Sequence, residues 1–344
     1  VHETGKPLLN VLKGKPEKRF PIWFMRQAGR YLPEYRTLRA KAGNFLDLCL
    51  NSEWAAEITL QPIERFDLDA VILFSDILMV PYGFSLYLDF REGEGPVLER
   101  VTDERKLDSL RWDMSRLGSV IEALKIVKSK VPEKVASIGF AGSPWTVACY
   151  MIEGKGKKGF LSALEMAEKK PEFLSRLIVM LHNATVEYLG KQIEAGADLI
   201  MLFDSHAGLL KGEMFNRWII QPTLRLVKDL KDRYPGTFVA GFPRNAGQDE
   251  YSSFVNETGV DILGFDQKVS LKFAREELQG KAILQGNLDP VILVEGGEKM
   301  KKAATDIMEK LGPRHIFNLG HGILPETPPE NVSLLVNHVH SWSP

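Results

Sequence analysis

Apolar and polar positions fall in alternating blocks along this chain. Eight short apolar runs, at residues 21–25, 71–75, 137–141, 199–203, 238–242, 262–265, 282–285 and 315–319, are each bounded by turn residues. Continuous apolar runs of this length predict strands buried on both faces. Between them the spacing changes. From Phe173 to Glu194, apolar residues (Leu177, Met180, Leu181, Ala184, Tyr188, Ile193) recur at three and four, and Gly196 supplies a left-handed stop. Ser52 is expected to cap a helix reaching about Phe66, and residues 291–311 and 331–340 carry weaker patterns of the same kind. Strand then helix, eight times over, predicts an α/β protein folded as one (β/α)8 TIM barrel across residues 1–344. A doubly wound sheet also alternates, but the count of eight favours closure. Between the second and third strands, turns at 80–83 and 93–96 flank a short hairpin at 86–90, read as an insertion above the barrel.

In such a barrel the active site lies at the C-terminal ends of the strands. Arg26 and Arg30 follow the first run and Asp76 the second. Gly142-Ser143-Pro144-Trp145, with Tyr150 beyond, follows the third, and Asp204-Ser205-His206 the fourth. Pro243-Arg244-Asn245, Asp266-Gln267, Gly286-Asn287-Leu288-Asp289-Pro290 and Gly320-His321-Gly322 complete the rim. Arginine stays charged and offers five donors in a planar fork. Two of them four residues apart, in Met25-Arg26-Gln27-Ala28-Gly29-Arg30-Tyr31-Leu32-Pro33-Glu34-Tyr35-Arg36, point to a ligand with several carboxylates or phosphates. Plainer readings stand beside these. The arginines pair with acids such as Glu34, Asp76 and Asp289 cap helices, Ser205 is a turn hydroxyl, and His206 is a satisfied core histidine. His321 is harder to explain that way, because its flanking glycines let a ligand approach closely.

Composition narrows the ligand class. The formal net charge of the 344 residues is −1, so no global field draws in nucleic acid or an anionic membrane. Any positive charge that binds an anion is local. Hydrophobic content of 44% and charged content of 26% describe a soluble globular protein. The two cysteines, Cys49 and Cys149, sit in apolar surroundings and read as buried free thiols of a reducing compartment. Without CxxC or His-x-Cys, no thiolate metal site is expected. No apolar run approaches the roughly 18 residues of a membrane span, and residues 1–6 lack the apolar core of a secretory leader. A cytoplasmic location follows as the expectation. Gly154-Lys155-Gly156-Lys157-Lys158-Gly159 fits the dinucleotide fingerprint after residues 146–152, which pass for a strand. Its lysines suit a solvated basic loop at the rim better than a turn packed on a sheet.

Residues 25–36 and Gly139-Phe140-Ala141-Gly142-Ser143-Pro144-Trp145-Thr146 resemble the two signature segments of the uroporphyrinogen decarboxylase family. Four further stretches, at 73–78, 203–208, 285–290 and 318–322, are similar to its pattern, and the similarity runs from about Leu8 to Val339. The resemblance implies a (β/α)8 barrel, a homodimer, and no metal or organic cofactor. It implies a carboxy-lyase of tetrapyrrole and haem biosynthesis, which removes CO2 from the four acetate side chains of uroporphyrinogen, the III isomer and the I isomer too, to give coproporphyrinogen. It places Tyr150, Ser205 and His321 among the carboxylate-binding groups beside Arg26 and Arg30, with Arg39 joining if its helix turns inward. Asp76 is expected to accept the pyrrole N–H groups, and Phe140 and Phe203 to form apolar walls. Direct loss of CO2 would leave a carbanion without a sink. Protonating the pyrrole carbon first makes the ring its own sink, and Asp76 would steady that cation. The proton donor stays open between a substrate carboxylate relay and His321. Departures from the family pattern fall at Asp204, Leu209 and Gln267. Rival readings are a cobamide-dependent methyltransferase with zinc, an NAD-dependent dehydrogenase and a non-catalytic porphyrin carrier. The segments carrying Trp112, Trp218 and Trp342 are candidates for the subunit contact.

Overall fold

The computed structural model describes residues 5–342 except 16, 18, 92, 157 and 158. Its strands are β1 (Ala70–Ile72), β2 (Leu88–Arg91), β3 (Gly95–Leu98), β4 (Ala136–Gly142), β5 (Leu199–Asp204), β6 (Phe238–Pro243), β7 (Ile262–Gly264), β8 (Ile283–Leu288) and β9 (His315–Leu319). Seven of them form a curled parallel sheet in the order β1-β4-β5-β6-β7-β8-β9. That order follows the chain without reversal, so the sheet lacks the switch point of a doubly wound fold.

The first apolar run is not a ladder strand, and its hydrogen bonds show why. Pro21 has no N–H to give, and side chains take the partners a neighbouring strand would supply. Ile22 N donates to Asp69 Oδ2 (2.9 Å), Phe24 N to Gln27 Oε1 (3.0 Å) and Met25 N to Asn318 Oδ1 (3.2 Å). What remains is one bridge, Ile22 to Phe317, in which Phe317 N donates to Pro21 O (2.8 Å) and Trp23 N to Phe317 O (3.3 Å), and a bond from Asp69 N to Ile22 O (2.9 Å). The run therefore touches β9 on one side and the entry to β1 on the other.

Period-two alternation divides the strand side chains. Ile72, Ile138, Phe140, Met201, Ala240 and Ile316 are among those of an inner cluster, while Ala141, Ile200, Leu202, Val239, Leu263 and Leu284 join the outer core that includes the helices. The short helix Pro7–Leu12 sends Leu8, Leu9 and Val11 into the inner cluster. Lys6, just before it, donates to Asp198 Oδ2 at 2.6 Å, directly ahead of β5. The N-terminal end of the sheet is thus plugged with apolar side chains, and the polar rim lies at the other end.

Several local expectations shift. The helix Ser52–Arg65 is capped by Asn51, whose side chain accepts from Trp54 N (3.0 Å), one residue before the expected cap. Residues 291–311 break into Pro290–Glu295 and Gly297–Leu311, because Gly296 and Gly297 both take positive φ and Asn331 Nδ2 binds the carbonyls of Leu293 and Val294 (2.9 Å each). Pro171–Glu194 runs as expected, with Gly196 at φ +107° beyond it. The expected turn at 80–83 is the short helix Met79–Gly83. The hairpin pairs β2 with β3, so Gly95 and Pro96 belong to a strand and not to the turn. It docks on the helix Pro144–Glu153 through Leu98 N to Gly154 O and Val101 N to Met151 O, both 2.7 Å. Cys49 and Cys149 are buried and free. Among the described residues, no helix is long and apolar enough to cross a membrane.

Candidate active site

The loop after the first run is shaped by Gln27. Its amide takes Phe24 N and donates to Ala70 O (3.0 Å), while its own carbonyl receives Tyr31 OH (2.8 Å). Arg26, on this loop, adopts φ +60°, a strained value for a residue with a Cβ. Its side chain is exposed and lies against Gly322, where a Cβ would stand 2.5 Å from Arg26 Cδ. Ile323 N donates to Met25 O (2.9 Å), so the loops after the first run and after β9 meet.

Asp76 follows β1. Its Oδ1 accepts from Leu78 N (2.8 Å), an Asx-type turn, and the next helix has no side-chain cap, so Asp76 does not serve as one. Oδ2 has no hydrogen bond among the described residues. The carboxyl is half-buried at the base of the rim. Desolvation raises its pKa from 3.8 to about 6, against the opposing pull of the Leu78 N–H and Arg26. Tyr150, on helix Pro144–Glu153, feels the same pair: burial first and Asp76 second push its phenol up to about 12, while Arg26 and Arg244 oppose.

The second signature segment supports the turn after β5. Thr146 Oγ1 donates to the buried Asp204 Oδ1 (2.5 Å) and accepts from His206 N (3.0 Å). Trp145 Nε1 donates to His206 O (3.1 Å). Ser205 is held between these anchors, half-buried. Burial raises Asp204 to about 7, and its Oδ2 is buried without a partner among the described residues. His206 packs on Phe160 (ring centroids 4.1 Å apart) and Tyr150 (5.2 Å), and burial followed by Arg244 lowers its pKa to about 4.

His321 follows β9. Its Nε2 contacts Arg244 Nη1, which can only donate, and its Nδ1 lies 2.6 Å from Gly322 N; a neutral ring accepts at only one of the two nitrogens. Burial, then Arg244 and Arg26, bring its pKa to about 4, against the opposing influence of the Gly322 backbone and Asp266. Asp266, by contrast, is fully used in structure: Tyr251 OH (2.9 Å), Asn245 N (2.8 Å) and Lys268 N (2.9 Å) all donate to it. Asp289 caps the helix Pro290–Glu295 through Val291 N (2.9 Å).

The structure thus joins Arg26, Asp76, Tyr150 and His321 through mutual fields and contacts, with Ser205 on the adjoining turn. Phe140 and Phe203 meet edge to face at 5.6 Å between centroids, Phe140 buried and Phe203 half-buried, in the inner cluster on the rim side. Arg30 is exposed, and among the described residues its guanidinium makes no hydrogen bond or ion pair. Its charge acts on the Tyr35 phenol, lowering its pKa against the larger effect of burial. Arg39 is half-buried, its Nη1 donates to Ala42 O (3.4 Å), and its charge acts on the buried Tyr35. The Trp218 side chain is buried in the core, while Arg217 of the same segment is exposed. Residues 146–152 are helix, so no strand precedes the glycine-rich segment; Gly154 caps that helix, and Lys157 and Lys158 lie outside the described residues. No group of three or more His, Cys, Asp or Glu stands ready for a metal among the described residues. Sequence reasoning named Arg244 and Thr146 without a role. The signal for both was their place beside rim motifs.

Residues 3–342 match the model of the family described as Uroporphyrinogen decarboxylase (URO-D). Curated proteins named uroporphyrinogen decarboxylase are similar over their whole length. The one from Granulibacter bethesdensis is 47% identical over 343 residues (98% of this chain, 99% of that one). The one from Rhodospirillum rubrum is 46% identical over 342 residues (98% of each). Among solved structures, a methyltransferase from Methanosarcina mazei superposes with a TM-score of 0.79 at 24% identity, covering 98% of both chains, a likeness of fold alone. A B12-independent methionine synthase from Shewanella sp. W3-18-1 gives 0.58 at 11% identity over 84% of this chain and 85% of that one. The family match and the identity of nearly half the residues, end to end, agree with the rim: the chain belongs to the uroporphyrinogen decarboxylase family.

Proposed function

We propose that this chain decarboxylates the four acetate side chains of uroporphyrinogen, of the III isomer and of the I isomer too, giving coproporphyrinogen and CO2. One observation carries the mechanism: a carboxylate, Asp76, enclosed beside Arg26 and Tyr150 with one oxygen uncommitted among the described residues. An anion in that position accepts pyrrole N–H groups and stabilises positive charge on the ring. A proton adds to the pyrrole α carbon next to the carbon that bears the acetate arm, giving an iminium-like cation conjugated with the arm's ring carbon. The bond to the carboxylate carbon then breaks, its electrons enter the ring, and CO2 leaves. A proton taken up at the exocyclic carbon makes the methyl group, and the ring proton departs. Arg26 and Arg30 hold substrate carboxylates, Tyr150 and Ser205 add hydroxyl donors, and Phe140 with Phe203 walls the macrocycle. His321, neutral near pH 7 because burial and its arginine neighbours lower its pKa to about 4, is a hydrogen-bonding group and not the acid. The proton then comes by way of a substrate carboxylic acid or water.

The finer architecture belongs to the same reading. The run 21–25 serves as the missing stave of a closed (β/α)8 barrel, supported by its bonds to Phe317 and Asp69, with the β2–β3 hairpin as the insertion. A homodimer is the working assembly. Anaerobic incubation with uroporphyrinogen and mass measurement of the products test the activity. Loss of four CO2 is the expected result, and unaltered substrate would leave only a carrier.

A further inference from the structure

Among the described residues Arg244 is a cation without a counter-ion. It follows β6, and its backbone is clamped: Arg244 N donates to Asp204 O (3.1 Å) and Phe242 O (3.0 Å), and Gly208 N donates to Arg244 O (3.1 Å). The side chain is half-buried and, among the described residues, forms no ion pair. Among those residues its one side-chain hydrogen-bonding contact is with His321 Nε2, and its Nε is buried with no partner. Asp266 lies close enough to influence it but has spent both oxygens on Tyr251, Asn245 and Lys268. Arg26, a like charge, adds repulsion. A half-buried guanidinium with an empty donor, beside a second arginine, is costly in the free protein. An anion placed between them relieves both the desolvation and the repulsion.

We propose that Arg244 is a further anchor for a carboxylate of the bound ligand, acting with Arg26 and fixed in place by its contact with His321. This deepens the decarboxylase reading and rests on it: the ligand is a polycarboxylate macrocycle, and Arg244 takes an acetate or propionate arm on the β6 side of the rim. Its donor edge also keeps His321 Nε2 as an acceptor, so Arg244 doubles as a positioning residue for that ring.

The test compares the full chain with Arg244→Gln and Arg244→Lys. Uroporphyrin, the fluorescent octacarboxylate, serves as the equilibrium probe, and uroporphyrinogen as the substrate. Loss of one charge-assisted contact predicts about 10- to 100-fold weaker uroporphyrin binding and a similar rise in KM for Arg244→Gln, with kcat changed less. Arg244→Lys recovers part of the loss, since it keeps charge without the fork. The thermal midpoint of Arg244→Gln is not lowered, and NMR titration shows His321 gaining its proton at higher pH. Binding and KM within twofold of wild type in Arg244→Gln overturn the anchor, as does a loss in both variants that follows a lowered midpoint. Wild-type protein that releases no CO2 defeats the decarboxylase reading instead. The probe binding and the His321 titration still decide the role of Arg244 in that case.

Discussion

Replacing Asp76 with Asn should make the protein more stable at neutral pH. The substitution keeps the shape and the oxygen that accepts from Leu78 N, so the local turn survives. What it removes is a charge that the fold disfavours. Burial lifts the carboxyl from 3.8 to about 6, roughly two units. At 1.36 kcal/mol per unit this is at most about 3 kcal/mol, and partial exposure makes the real figure smaller. The sign follows from proton binding. Between about pH 4 and 6 the folded chain holds this proton and the unfolded chain has lost it, so stability falls as pH rises through that window and is flat above it. Asp76→Asn escapes the fall. Urea unfolding at pH 5, 6 and 7.5 should show a gain for the variant that is largest at pH 7.5 and shrinks towards pH 4. A variant less stable than wild type at pH 7.5, or a gap indifferent to pH, would refute the electrostatic account of this site.

Other consequences are open to simpler assays. Gly322→Ala puts a Cβ within 2.5 Å of Arg26 Cδ; because Arg26 is exposed, we expect a tenfold or greater loss of kcat/KM with little change in thermal midpoint. Thr146→Val strips the donor from the buried Asp204 and the acceptor from His206 N, and should cost about 1–3 kcal/mol in denaturant titration. The pH profile of kcat/KM should show no limb from His321 between pH 5.5 and 8, since its pKa is about 4; an NMR-detected midpoint for that ring near 6.5 would contradict this.

Seven strands were legible in the sequence because each apolar run sits in a ladder, where burial on both faces and strand pairing agree. The run at 21–25 has the same apolar pattern, yet three of its backbone N–H groups go to the Asp69, Gln27 and Asn318 side chains, and no pattern of hydrophobicity reports a side chain that replaces a strand. The break at Gly296 depended on Asn331, 35 positions onward in the chain, for the same reason. At the site, position after a strand sufficed to find Arg26, Asp76 and His321, because the rim of a parallel curl collects whatever follows its strands. The same rule gave no way to separate Asp266, fully consumed by local donors, from Arg244, which lacks an anionic partner among the described residues. That difference is one of hydrogen-bond accounting and appears only in three dimensions. Arg30 shows the limit from the other side: a motif places it beside Arg26, while its guanidinium stands exposed, uncommitted among the described residues.

The central claim is that the Asp76 carboxylate steadies a protonated macrocycle while CO2 departs. Anaerobic turnover of uroporphyrinogen by Asp76→Asn, with uroporphyrin binding measured in parallel, addresses it directly. The account predicts binding within a few-fold of wild type and turnover lower by about 100-fold, roughly 2.7 kcal/mol of barrier. Turnover equal to that of wild type, with binding intact, would contradict it.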